Sequence, residues 1–246
     1  MYFIMKKKIA EIINIFLSFF KAKIVSTKQV QNENFEDLFV KDIPENKIIS
    51  TKSLSALSNN IRGMISNRAG EELFSLVYMQ NLTGDVLEIG SFQGKSTYFL
   101  GSAVKFSGNG KMFAVDHFKG NLGKKKFYVV GKNDLSDLEE GFINNIKKSS
   151  LNKTVTLINK PSYEAVNHIK DNSIRFLFID AGHTAKEVST DLELFKRKLK
   201  KKAIIAFDDY APTFPGVVEV ANNFIKNENI NKKYLMGRTL ILELEE

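Results

Sequence analysis

Five acidic residues and one histidine stand where a folded chain can use them. Glu88 lies inside the apolar run Val86-Leu-Glu-Ile89, a costly place for a carboxylate without a cationic partner. Asp116, Asp180 and the pair Asp208-Asp209 close three further apolar runs, Met112–Asp116, Phe176–Asp180 and Ala203–Asp208. The carboxyl ends of parallel strands converge on one crevice, so these carboxylates are expected as neighbours. Asp116, one βαβ unit past a glycine turn, is placed to accept hydrogen bonds from ribose hydroxyls; an ordinary loop or helix-capping aspartate is the plainer alternative. His183 follows in Asp180-Ala-Gly-His183. An imidazole is a side chain that can take a proton from a hydroxyl. The plainer alternative is a residue that starts a helix and packs. Ser162, in Asn159-Lys-Pro-Ser162, reads as the N-cap of a following helix.

The element that must position these groups is Asp85-Val-Leu-Glu-Ile-Gly-Ser-Phe-Gln-Gly-Lys-Ser-Thr97. Its spacing predicts strand, glycine turn and helix, with Gly90 allowing close approach of a ligand and the helix N–H groups facing the same space. Three ligand chemistries compete. A dinucleotide fingerprint fails because Phe92 stands where its second glycine belongs. A phosphate loop matches at Gly94-Lys95-Ser96 but needs a glycine at 89, which is Ile89. A ligand with an ammonium group would partner Glu88. Further strands are expected at Met112–Asp116, Val155–Ile158, Phe176–Asp180 and Ala203–Asp208, at spacings that suit βαβ units. Helices are expected at Ala69–Leu82, Leu138–Lys148, Tyr163–Ile169, Ala185–Leu199 and Val217–Lys226, and a closing hairpin around Gly237-Arg238. The run Lys196–Lys202 is expected to be a solvated helix end.

The glycine turn, with Asp116, Asp180-x-x-His183 and Asp208-Asp209, resembles class I S-adenosylmethionine-dependent methyltransferases, nearest to the catechol and macrocin O-methyltransferases. The resemblance covers roughly Arg68–Leu244. It implies an α/β, Rossmann-like sheet, mostly parallel with an antiparallel C-terminal hairpin, and helices on both faces. It implies a methyltransferase domain at 68–246 behind an N-terminal helix and linker or cap at 1–67. The implied cofactor is S-adenosylmethionine, on Glu88, Gly90, Ser91, Gly94, Ser96, Asp116, Ser162 and Asp180. Asp180, Asp208 and Asp209 correspond to the family's divalent-metal position and suit Mg²⁺, a hard cation. His183 stands where catechol-type enzymes carry a lysine base, and Asp209 replaces their commoner asparagine. The reaction implied is O-methylation of a small polyhydroxylated acceptor such as a sugar, with Asp180 and His183 in the chemistry. A phosphate-loop nucleotide hydrolase and a non-catalytic scaffold of the same fold are the competing readings.

The 246 residues are 43% hydrophobic, with mean hydropathy -0.18, enough for a large core without membrane spans. A formal charge of +8 permits anionic partners. The excess is dispersed lysine without an aromatic-interleaved basic motif, which argues against nucleic acid. There is no cysteine, so disulfides and thiolate metal sites are excluded and a cytoplasmic location is the default. Residues 1–25 form an apolar helical pattern with a narrow polar stripe, too short and interrupted for a membrane span. A helix packed on the core or on a second subunit, in a homo-oligomer, and a peripheral membrane helix both fit. The polar stretch Lys119–Asp137 is longer than an ordinary loop of this fold.

Overall fold

The computed structural model describes residues 51–120 and 137–245. The expected N-terminal helix within 1–25, and the loop 119–137 apart from its ends, lie outside the described residues. Elements are numbered here in chain order among the described residues. They run α1 (Thr51–Ser58), α2 (Asn67–Met79), β1 (Asp85–Ile89), α3 (Lys95–Ser107), β2 (Met112–Val115), α4 (Leu138–Lys148), β3 (Val155–Ile158) and α5 (Ser162–Ala165). A 3₁₀ turn at Val166–His168 leads to β4 (Ile174–Ile179), α6 (Ala185–Lys196), β5 (Leu199–Phe207), α7 (Pro215–Asn227), β6 (Ile230–Met236) and β7 (Thr239–Leu244).

The strands form one sheet in the order β3-β2-β1-β4-β5-β7-β6, with β1 to β5 parallel and the C-terminal hairpin antiparallel. This is the architecture the sequence predicts. Every residue of β4 is buried, as expected of a central strand covered on both faces. Leu87, Ile89, Leu177, Ile179, Ile205 and Phe207 pack in one cluster with Val188, Leu192, Val217 and Phe224 of α6 and α7. On the opposite face α3 lies so close that a side chain on Gly101 would meet Val155 at 2.8 Å.

Register places the site. Ile89 is level with Val115 on one side and Ile179 on the other, and Ile179 is level with Phe207. The next residues, Asp116, Gly90, Asp180 and Asp208, therefore leave the sheet side by side at its carboxyl edge.

Several boundaries differ from expectation for physical reasons. Helix α2 ends at Met79 rather than Leu82. Buried Arg175 donates to Val77 O at 2.8 Å, Gln80 Oε1 at 2.8 Å and Gly84 O at 3.0 Å, and so draws the chain out of helix. Residues 51–66, within the expected linker, carry α1, where Ser58 Oγ donates to Asn67 Oδ1 at 2.8 Å. Lys198, expected in a solvated run, is buried with its Nζ at 2.5 Å from Asp171 Oδ1, and β5 already begins at Leu199.

Candidate functional site

Glu88 is fully buried on the α3 face of β1. Thr97 Oγ1 donates to its Oε2 in a short hydrogen bond, whereas Oε1, like Ser91 Oγ, has no hydrogen-bond partner among the described residues. Burial pushes the carboxyl up to about 7, against the lowering effect of neighbouring hydroxyls on the glycine turn and the first turn of α3. A buried acceptor without a donor fits a cationic ligand. Thr97 is a site residue the sequence reading missed; its place nine residues after Glu88, on the first turn of α3, was the available signal.

The glycine turn is held by the next strand. Asp116 Oδ2 accepts from Ser91 N at 2.9 Å and Phe92 N at 2.8 Å, and Oδ1 accepts from Phe118 N at 2.7 Å. Phe92 adopts φ 46° inside this clamp. An ionised carboxylate offers about four acceptor positions, so one remains for a ligand hydroxyl. Gly90, at φ 87°, is required by close approach: a Cβ there would stand 2.1 Å from Asp180 O. Gly94, also at φ 87°, opens α3 with its Cα turned to Phe142 of α4. Ser96 is buried beside Glu88.

Ser162 lies apart from these groups. It is the first residue of α5, whose N-cap is Pro161 without a side-chain bond, so the capping expectation is not met. Its hydroxyl faces Asp191 of α6 instead. Asp191 is buried, and burial pushes its carboxyl up to about 6 although Ser162 lowers it.

Across β4 and β5 the acids converge as expected. The carboxyl of Asp180 is held well above the ordinary range, first by burial and then by the charges of Asp208, Glu88 and Asp209. Asp208 is also raised, mainly by burial; Thr239 Oγ1 donates to its Oδ1 at 2.6 Å. Asp209, at φ 54°, turns its carboxylate to His183, whose Nε2 lies 2.9 Å from Oδ2. The imidazole rests against Phe214, ring centroids 4.5 Å apart. His183 does not start α6: Thr184 caps it, in a reciprocal bond with Glu187.

Ligand atoms of Asp180, His183 and Asp209 lie within 4.8 Å of one another. Two carboxylates and an imidazole fit a divalent cation. Asp208, expected in the same set, sits beside it with one oxygen given to Thr239. Arg238, on the β6–β7 turn, was not foreseen as a site residue. Its Nη2 is 2.8 Å from Asp209 Oδ1 and its guanidinium lies 5.9 Å from the Phe214 ring centroid. No signal in the sequence joins residues 209 and 238; only the antiparallel pairing of β5 with β7 does.

No helix among the described residues is long and apolar enough to cross a membrane. The chain is similar in fold to an O-methyltransferase from Bacillus cereus solved with SAH: 15% identity, 86% of this chain and 94% of that one, TM-score 0.55. TomG of Streptomyces achromogenes, an O-methyltransferase of tomaymycin synthesis solved with SAM, matches at 12% identity over 90% and 99% of the two chains, TM-score 0.56. The SAH-bound methyltransferase PaMTH1 of Podospora anserina matches at 11% identity over 92% and 99%, TM-score 0.60. At these identities the likeness is one of fold. The family model described as a methyltransferase domain matches residues 87–210, from the first strand through the Asp208-Asp209 pair. The chain belongs to the methyltransferase domain family.

Proposed function

We propose that this protein transfers a methyl group from S-adenosylmethionine to a hydroxyl oxygen of a small polyhydroxylated acceptor, a sugar being the type that fits its expected likeness. The observation that carries this reading is the pairing of two sites at one sheet edge. A buried carboxylate with an open acceptor stands beside a glycine turn, and a histidine and an aspartate 2.9 Å apart follow the next two strands, β4 and β5. S-adenosylmethionine would supply the electrophilic methyl. Glu88 Oε1 is suited to its ammonium, and Asp116 to its ribose through the acceptor position left after the loop bonds. Gly90, Ser91, Gly94 and Ser96 line the turn.

His183 is the proposed base. With Nε2 directed at Asp209, Nδ1 is the nitrogen left to take the acceptor's proton. Asp180, Asp208 and Asp209 would hold Mg²⁺ or a similar divalent cation, which lowers the pKa of a bound hydroxyl. The Asp180, His183 and Asp209 grouping favours a second reading, in which the imidazole is itself a ligand. The turn at residues 159–162, with the Ser162 hydroxyl facing Asp191, would lie against the cofactor's adenine, as the resemblance to the family implies.

The acceptor, a domain boundary near 67/68, association into oligomers and a peripheral membrane contact of residues 1–25 belong to the same proposal. Isothermal titration with S-adenosylmethionine and with ATP–Mg²⁺ tests the cofactor. Binding of the first and not the second is expected. Binding of ATP–Mg²⁺ alone would restore the phosphate-loop reading of Gly94-Lys95-Ser96, and binding of neither would favour a scaffold.

A further inference from the structure

Asp209 is unusual among the acids of the site because each of its oxygens has a basic side chain within ion-pair distance. His183 Nε2 lies 2.9 Å from Oδ2 and Arg238 Nη2 lies 2.8 Å from Oδ1, the latter a contact of charges that leaves Oδ1 without a hydrogen bond among the described residues. A divalent cation on this carboxylate meets a like charge 2.8 Å from Oδ1, which opposes its arrival until that side chain moves aside. The side chains differ in how freely they can do so: that of Arg238 is 60% exposed, that of His183 25%. The imidazole is packed on Phe214 beneath the loop that opens α7. The guanidinium is reached from solvent and keeps its hydration when it swings out, so its release strands no buried charge.

The backbone beneath Arg238 stays fixed. Its carbonyl accepts from Tyr210 N at 2.8 Å, and its neighbour Thr239 donates to Asp208 Oδ1 at 2.6 Å. Only the side chain has to move. Its charge already serves the cluster, holding down the carboxyls of Asp180 and Asp208 against burial and mutual repulsion. A cation arriving with two charges takes over that role.

We infer that Arg238 is an internal counter-cation that holds Asp209 in alternation with a divalent metal ion. Arg238 thus sets the threshold of metal concentration at which the site fills. The inference rests on the reading of Asp180 and Asp209 as cation-holding residues. It adds a residue, from a turn after the parallel part of the sheet, that opposes the cation rather than binding it.

The test uses the full chain and Mn²⁺, with free ion counted from its electron paramagnetic resonance signal. Arg238→Gln removes the competing charge from an exposed turn. It should bind Mn²⁺ about three- to fivefold more tightly than the natural protein, the scale of a half-exposed ion pair. Arg238→Lys keeps the charge but loses the planar fork, and should fall between the two. Equal or weaker binding by Arg238→Gln, in protein whose melting temperature is unchanged, overturns the alternation and leaves the cation site standing. Absence of Mn²⁺ binding in all three proteins overturns the cation reading and the alternation with it. S-adenosylmethionine affinity, measured in parallel, stays the same in every variant if the effect is confined to Asp209.

Discussion

His183 Nε2 lies 2.9 Å from Asp209 Oδ2, so the histidine that follows β4 is held by the aspartate that follows β5. As a base, His183→Ala should leave S-adenosylmethionine binding intact and cut turnover by about 10²–10⁴. The loss should shrink at high pH, where the acceptor hydroxyl ionises unaided. Mn²⁺ binding separates the two roles of the imidazole: unchanged affinity in His183→Ala fits the base, and a large loss fits a metal ligand. Normal turnover in the variant removes both roles.

Glu88 couples binding to stability with opposite signs. Burial raises its carboxyl from an ordinary 4.5 to about 7 in the folded protein. The folded state thus holds the proton more tightly than the unfolded state does. The contribution to stability is fully present below pH ~4.5 and is lost as pH rises through about 7. Glu88→Gln removes this penalty, so the ligand-free variant should be the more stable protein at pH 8, by up to about 3 kcal/mol in urea unfolding. Its S-adenosylmethionine affinity should fall by about 1.5–3 kcal/mol, the worth of a hydrogen bond to a charged group. A variant that is less stable at pH 8 and binds normally would show that the carboxylate is satisfied by the protein itself.

Asp116 has two separable duties. It accepts from Ser91 N and Phe92 N, and it is also the residue suited to ribose. Asp116→Asn weakens both backbone bonds, each of which has a charged acceptor, so the ligand-free protein should lose roughly 1.5–3 kcal/mol of stability. Cofactor affinity should fall with it. A variant whose affinity falls while its ligand-free unfolding stays unchanged would assign the aspartate to the ligand and not to the loop. Denaturant unfolding with and without S-adenosylmethionine distinguishes these outcomes.

What the sequence determined by itself is the order of the elements and the location of the acids. Apolar runs such as Phe176–Ile179 are bounded by polar residues, and the glycine turn sits between a strand period and a helix period. Those are local patterns, so β1 to β5 and the carboxylates that close them were legible. Thr184-x-x-Glu187 was equally local; that capping box was there to read and would have freed His183 from the role of helix start.

Which partner each polar side chain meets was decided by the tertiary structure. Arg175 reads as an interruption of an apolar strand, yet it is buried and ties together residues 77, 80, 84 and 109. Asp116 looked free for a ligand, but register with β1 brings the turn's N–H groups to its carboxylate. Ser162 looked like a cap until α6 packed its Asp191 beside it. Arg238 reaches Asp209 because β7 pairs antiparallel with β5, returning residue 238 to the sheet's carboxyl edge. The physical reason is one of range. Hydrophobic period and turn chemistry are set within a few residues, whereas a hydrogen bond or ion pair acts over about 3–4 Å between groups that only strand register and helix packing bring together.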